Sequence, residues 1–93
     1  MFYLSSVELG GRTGFPFLDL AVQPEEGSAL FWYNLHPDGT FDERVVHAGC
    51  PVLLGSKWIA TKWIYSDAQM FLRKCSPDSQ KGFNPWFYAH YDF

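Results

Sequence analysis

The chain has 93 residues, enough for one domain whose core buries only about 60–65% of the unfolded surface. Hydrophobic residues make up 47% of it, which excludes a disordered or low-complexity chain. Seven Lys and Arg against ten Asp and Glu give a net charge of −3, no electrostatic footprint for nucleic acid or an anionic membrane.

The outlying value is the aromatic share, 19%, from nine Phe, five Tyr and four Trp. So many large side chains call for a bigger core or a partner. No apolar run approaches the roughly 20 residues that cross a bilayer. Met1-Phe2-Tyr3-Leu4 lacks the basic and long apolar regions of a signal peptide.

Phe2-Tyr3-Leu4-Ser5-Ser6-Val7 reads as a strand already under way, as in a domain cut inside a sheet. Gly10-Gly11-Arg12-Thr13-Gly14 reads as a turn, because glycine takes the positive φ that other residues resist. Residues 17–22 make an apolar, strand-length run, followed by a turn at Pro24-Glu25-Glu26-Gly27. A strand over 29–33 follows, closed by Asn34-Leu35-His36-Pro37-Asp38-Gly39, whose Asp-Gly is a strong turn signal.

Residues 44–49 and 51–55 continue the pattern, with Pro51 tolerable at a strand's first residue. Residues 57–64 are rich in β-branched and aromatic types that suit a pleated surface. Short strands with turn signals every 8–12 residues predict an all-β sandwich or barrel. Ser66-Asp67-Ala68-Gln69 has capping-box spacing and predicts one short C-terminal helix, with Arg73 and Lys74 at its end. Residues 76–93 then form an aromatic-rich tail, read as packing over a sheet or as carrying no fixed structure.

Two cysteines, Cys50 and Cys75, have no CxxC spacing; the residues alone admit two buried thiols or one disulfide. Of the three histidines, His36-Pro37-Asp38 and His90-Tyr91-Asp92 have the HxD form of a two-His-one-carboxylate Fe(II) face. Asp38 already has a local role in its Pro-Asp-Gly turn, and His90 lies in the last four residues.

His47 stands in His47-Ala48-Gly49-Cys50-Pro51-Val52-Leu53-Leu54-Gly55-Ser56-Lys57-Trp58. Upstream lie Gly10-Gly11-Arg12-Thr13-Gly14-Phe15-Pro16 and the run from Pro24 through Phe31-Trp32-Tyr33-Asn34-Leu35. Together, over roughly residues 1–75, these resemble the C-terminal catalytic region of the prolyl 4-hydroxylase α-subunit family, Fe(II)- and 2-oxoglutarate-dependent dioxygenases. The resemblance implies a partial double-stranded β-helix (jelly roll) lacking its first strands.

Residue by residue, the resemblance implies that His47 is the distal iron ligand. Lys57, ten residues on, would pair the distal carboxylate of 2-oxoglutarate; a buried dicarboxylate needs such a cation. Thr13 and Trp63 match positions lining the cosubstrate pocket, and Cys50 and Cys75 match an intrachain disulfide. The cofactors implied are Fe(II), 2-oxoglutarate and L-ascorbate, and the compartment is the endoplasmic-reticulum lumen. The implied partners are a Pro-rich or collagen-like peptide and a protein disulfide isomerase-type β-subunit, with no nucleic acid and no membrane.

In the family the HxD pair lies upstream of the Gly-Gly-x-Thr segment, a point that Met1 has already passed. The expectation is therefore a fragment of a prolyl 4-hydroxylase catalytic domain, whose own activity suffers from the two missing ligands. The alternative is a truncated, non-catalytic β-helix serving as an interaction module, or a degenerate gene product. A sugar-binding jelly roll rests on aromatic content alone.

Overall fold

The computed structural model describes residues 1–69, 71–72, 75–77 and 86–90, the last stretch by its backbone. Its strands, in chain order, are β1 (Phe2–Tyr3), β2 (Leu9–Gly10), β3 (Thr13–Phe15), β4 (Leu20–Val22), β5 (Ser28–Trp32), β6 (Ala48–Gly49), β7 (Val52–Leu54), β8 (Ile59–Ala60) and β9 (Trp86–His90). Two 3-10 turns interrupt them, Pro16–Leu18 and Glu43–Val45.

Three sheets result. The largest has the order β8-β1-β5-β9, the second β4-β3-β6, and β2 pairs with β7. All pairings are antiparallel, with Phe2 opposite both Ala29 and Ala60, and Thr13 opposite both Val22 and Gly49.

The period-2 alternation of β3 and β5 explains the core. Thr13 and Phe15 of β3 point inward, as do Ser28, Leu30 and Trp32 of β5. Tyr3, Phe15, Val22, Leu30 and Val45 form one buried cluster, so the two larger sheets face each other across it. Trp32 and Met1 are partly buried against the same cluster. The fold is all-β, a partial double-stranded β-helix.

Local departures have identifiable causes. The turn expected over residues 10–14 ends early: its last residues enter β3, because Thr13 has an inward position to fill between Val22 and Gly49. Pro16 begins a 3-10 turn where a strand was expected from Phe17. That turn ends at Asp19, which takes a left-handed φ of 49° before β4 starts.

The helix expected from Ser66 is absent among the described residues. There the chain makes successive turns, closed by Gln69 N–H to Ser66 O and Leu72 N–H to Gln69 O. Asp67 Oδ1 takes the neighbouring Ala68 N–H, a local bond that competes with helical pairing. Met70, Arg73 and Lys74 lie outside the described residues. The tail contributes β9, whose backbone pairs with β5 from Ser28↔His90 to Trp32↔Trp86. Among the described residues, no helix is long and apolar enough to cross a membrane.

Candidate functional site

Backbone geometry first brings the Gly-Gly turn onto the segment after His47. Gly10 has φ 80°, and a Cβ there would lie 2.4 Å from the Pro51 carbonyl oxygen. Gly11 N–H donates to that same oxygen at 2.9 Å, and Cys50 N–H donates to Arg12 O at 2.8 Å. A side chain at position 10 would push the two segments apart. Their contact delivers β6, and His47 just before it, to the edge of β3.

His47 sits at the rim of the core, with its imidazole held on three sides. Its ring packs 5.2 Å from Phe15 and 4.7 Å from Trp32, measured between centroids, and those two rings meet edge to face at 5.5 Å. Nδ1 lies 2.8 Å from the carbonyl oxygen of Val45. A carbonyl only accepts, so Nδ1 carries the proton in this bond and the neutral ring keeps its lone pair on Nε2. That is the arrangement a metal-ligating imidazole needs, with one nitrogen anchored and the other available.

Thr13 and Lys57 come together through β6. Thr13 is 3% exposed and faces Gly49 in register, and paired residues project to one side of a sheet. A Cβ at Gly49 would stand 3.7 Å from Lys57 Nζ, so the ammonium lies over the same face as the Thr13 hydroxyl. Lys57 reaches there because Leu4 N–H donates to Trp58 O at 2.8 Å and Tyr3 pairs with Ile59.

Tyr3, which no sequence motif singles out, completes this corner. Its hydroxyl lies 2.7 Å from Thr13 Oγ1, a buried bond joining the two larger sheets. The signal available is its place beside Phe2 on a strand, where every second residue faces inward. Trp63 lies beyond β8 and is 66% exposed.

The two HxD motifs fare differently. Asp38 Oδ1 accepts from the backbone N–H and the hydroxyl of Thr40, at 2.9 and 2.6 Å. Those bonds hold its carboxyl below the ordinary carboxylate range, and they serve a turn rather than a ligand site. His36 turns to Asp42, with Nε2 3.8 Å from Oδ1. The backbone of His90 lies in β9, while Tyr91 and Asp92 are outside the described residues.

Among the described residues, no three His, Cys, Asp or Glu side chains are grouped to hold a metal. Against the expected disulfide, Cys50 and Cys75 are both free and exposed. Cys50 is tied by its backbone to Arg12, whereas Ser76, next to Cys75, donates to Pro37 O. The two are anchored to different loops.

The chain as described thus offers one poised imidazole, one ammonium and a buried pair of hydroxyls. This arrangement fits one ligand of an Fe(II) centre and the carboxylate end of a dicarboxylate cosubstrate.

Residues 1–65 match the 2OG-Fe(II) oxygenase superfamily. The chain is 54% identical over 76 residues to prolyl 4-hydroxylase subunit alpha-3 of Homo sapiens, covering 82% of this chain and 14% of that protein. It is 50% identical over 80 residues to subunit alpha-2 of Caenorhabditis elegans, covering 86% and 15%. With subunit alpha-1 of Gallus gallus it shares 47% identity over 76 residues, covering 82% and 15%. The chain therefore spans only 14–15% of the length of these relatives.

Proposed function

The chain belongs to the 2OG-Fe(II) oxygenase superfamily, and from that premise we propose that it is the C-terminal part of a procollagen-type prolyl 4-hydroxylase catalytic domain. The observation that carries the reading is the His47 imidazole, anchored through Nδ1 with Nε2 available. Lys57 supports it by returning its ammonium to Gly49, two residues past His47.

In this reading His47 supplies one ligand to Fe(II), and two further ligands come from outside the described residues. Lys57 pairs the distal carboxylate of 2-oxoglutarate, with the Thr13 hydroxyl beside it and Trp63 bordering the pocket. Tyr3 holds Thr13 in place. Phe15 and Trp32 keep the ring of His47 from rotating.

The bound iron and cosubstrate would supply the oxidative step: O₂ converts 2-oxoglutarate to succinate and CO₂, and a prolyl C4–H becomes C4–OH. The substrate is a peptidyl proline in a collagen-like or Pro-rich chain. Ascorbate keeps the iron reduced, a disulfide isomerase-type subunit is the partner, and the compartment is the endoplasmic-reticulum lumen.

The test is succinate release by the protein encoded by the complete coding sequence, given Fe(II), ascorbate, 2-oxoglutarate and a Pro-Pro-Gly repeat peptide. We expect peptide-dependent succinate that disappears in His47→Ala. Equal turnover in the variant would overturn the assignment of His47. No turnover in the parent would favour the non-catalytic interaction module.

A further inference from the structure

We propose that Asp42 is a positioning residue for His47. Its buried carboxylate caps the Glu43–Val45 turn, and that turn presents the carbonyl that fixes the imidazole. The inference rests on the reading of His47 as a metal ligand.

Asp42 is fully buried, with a side-chain exposure of 0%. Both carboxylate oxygens accept from Arg44: Oδ1 from its backbone N–H at 3.0 Å and from Nε at 2.9 Å, and Oδ2 from Nη2 at 2.7 Å, with His36 Nε2 also 3.8 Å from Oδ1. The main-chain bonds of the same turn are longer. Val45 N–H to Asp42 O and Val46 N–H to Glu43 O are both 3.3 Å, beyond the usual 2.7–3.2 Å. The side-chain cap is therefore the strongest bond holding the turn's shape.

Two routes lead from Asp42 to the imidazole. Along the chain, the capped turn ends at Val45, whose side chain is anchored in the core at 3% exposure and whose carbonyl accepts from His47 Nδ1. Beside the isolated Leu35–Phe41 bridge, Asp42 N–H donates to Asn34 O at 3.0 Å, and Asn34 Oδ1 accepts from Trp32 Nε1 at 2.9 Å. Trp32 is the ring that packs closest on His47. One residue thus braces both the hydrogen bond and the stacking partner of the imidazole.

A residue that merely stabilised the fold would leave the His47 tautomer alone once the protein is folded. The experiment is long-range ¹H–¹⁵N correlation on the labelled 93-residue chain, recorded at a pH raised until the histidine ring shifts no longer change. We expect His47 in the parent as a single Nδ1–H tautomer. Folded Asp42→Ala loses that single form and shows averaged ring shifts. Asp42→Asn keeps it, because the amide oxygen still caps the Arg44 N–H.

Retention of the pure Nδ1–H form in folded Asp42→Ala would overturn the proposal. If that variant does not fold, Asp42→Asn decides: folded protein without the Nδ1–H form overturns it. A second arm adds Mn²⁺ to the protein encoded by the complete coding sequence, with and without His47→Ala, and reads bound Mn²⁺ by electron paramagnetic resonance. Equal Mn²⁺ binding by parent and variant refutes the metal reading while the action of Asp42 on the tautomer stands.

Discussion

Lys57 Nζ lies over Gly49, 3.7 Å from where a Cβ of that residue would stand. The contact ties the ammonium to the strand that follows His47. At 3.7 Å a methyl group makes ordinary van der Waals contact, so Gly49→Ala is expected to bind 2-oxoglutarate nearly as the parent does. A larger side chain competes for the ammonium's position, and Gly49→Leu is expected to weaken binding. Lys57→Met removes the cation itself; losing a charged hydrogen bond of about 1.5–3 kcal/mol corresponds to roughly 10- to 150-fold in affinity. Calorimetric titration with 2-oxoglutarate checks the series, and unchanged affinity in Lys57→Met would refute the role of the ammonium.

The fold class was legible because alternation and turn residues are local signals. Leu30 and Trp32 face inward on β5 for the period-2 reason that the sequence displays. The candidate site was legible only through its motif: His47 and Lys57, ten residues apart, are the residues proposed to carry it. What supports them was not legible. The Val45 carbonyl leaves no trace in residue identity, and the Tyr3–Thr13 bond joins strands whose pairing depends on tertiary structure. Among the described residues the expected helix does not form: a capping box marks a start without supplying a buried face to extend it, and Phe71 and Leu72 are 87% and 84% exposed.

Gly10 is expected to tolerate no side chain. Its φ of 80° disfavours any L-residue, and a Cβ 2.4 Å from the Pro51 carbonyl oxygen meets backbone that cannot rotate away. Gly10→Ala should lose about 2 kcal/mol or more. Thermal unfolding followed by near-ultraviolet circular dichroism checks it. Gly39 has φ 87° but nothing within 4 Å of where its Cβ would stand, so Gly39→Ala is the control that isolates backbone strain from the clash.

Tyr3→Phe keeps the ring in the core but strips the hydroxyl from Thr13 Oγ1, leaving a buried polar atom without that partner. The expected cost is about 1–3 kcal/mol. Thr13→Val, made in addition, removes the orphaned hydroxyl, so the double variant should recover part of the loss. Urea unfolding of the parent, both single variants and the double variant gives the coupling between the two residues. Additive losses would show that the bond joining the sheets contributes nothing of its own.

Acid should weaken the fold through Asp42. Hydrogen bonds from Arg44 hold its carboxyl below the ordinary value of 3.8, against the opposing effect of burial. The unfolded chain therefore binds this proton more readily than the folded one, and protonation favours unfolding. The stabilisation is complete well above about pH 4 and drains away as pH falls through the lowered folded pKa. Asp38 and the other carboxylates titrate in the parent and in Asp42→Asn alike, so subtracting the two profiles isolates Asp42. Urea midpoints between about pH 6 and pH 2.5 should fall more steeply for the parent, the gap closing at the acid end where both side chains are neutral. Parallel profiles would mean that the carboxylate gains nothing from Arg44 on folding.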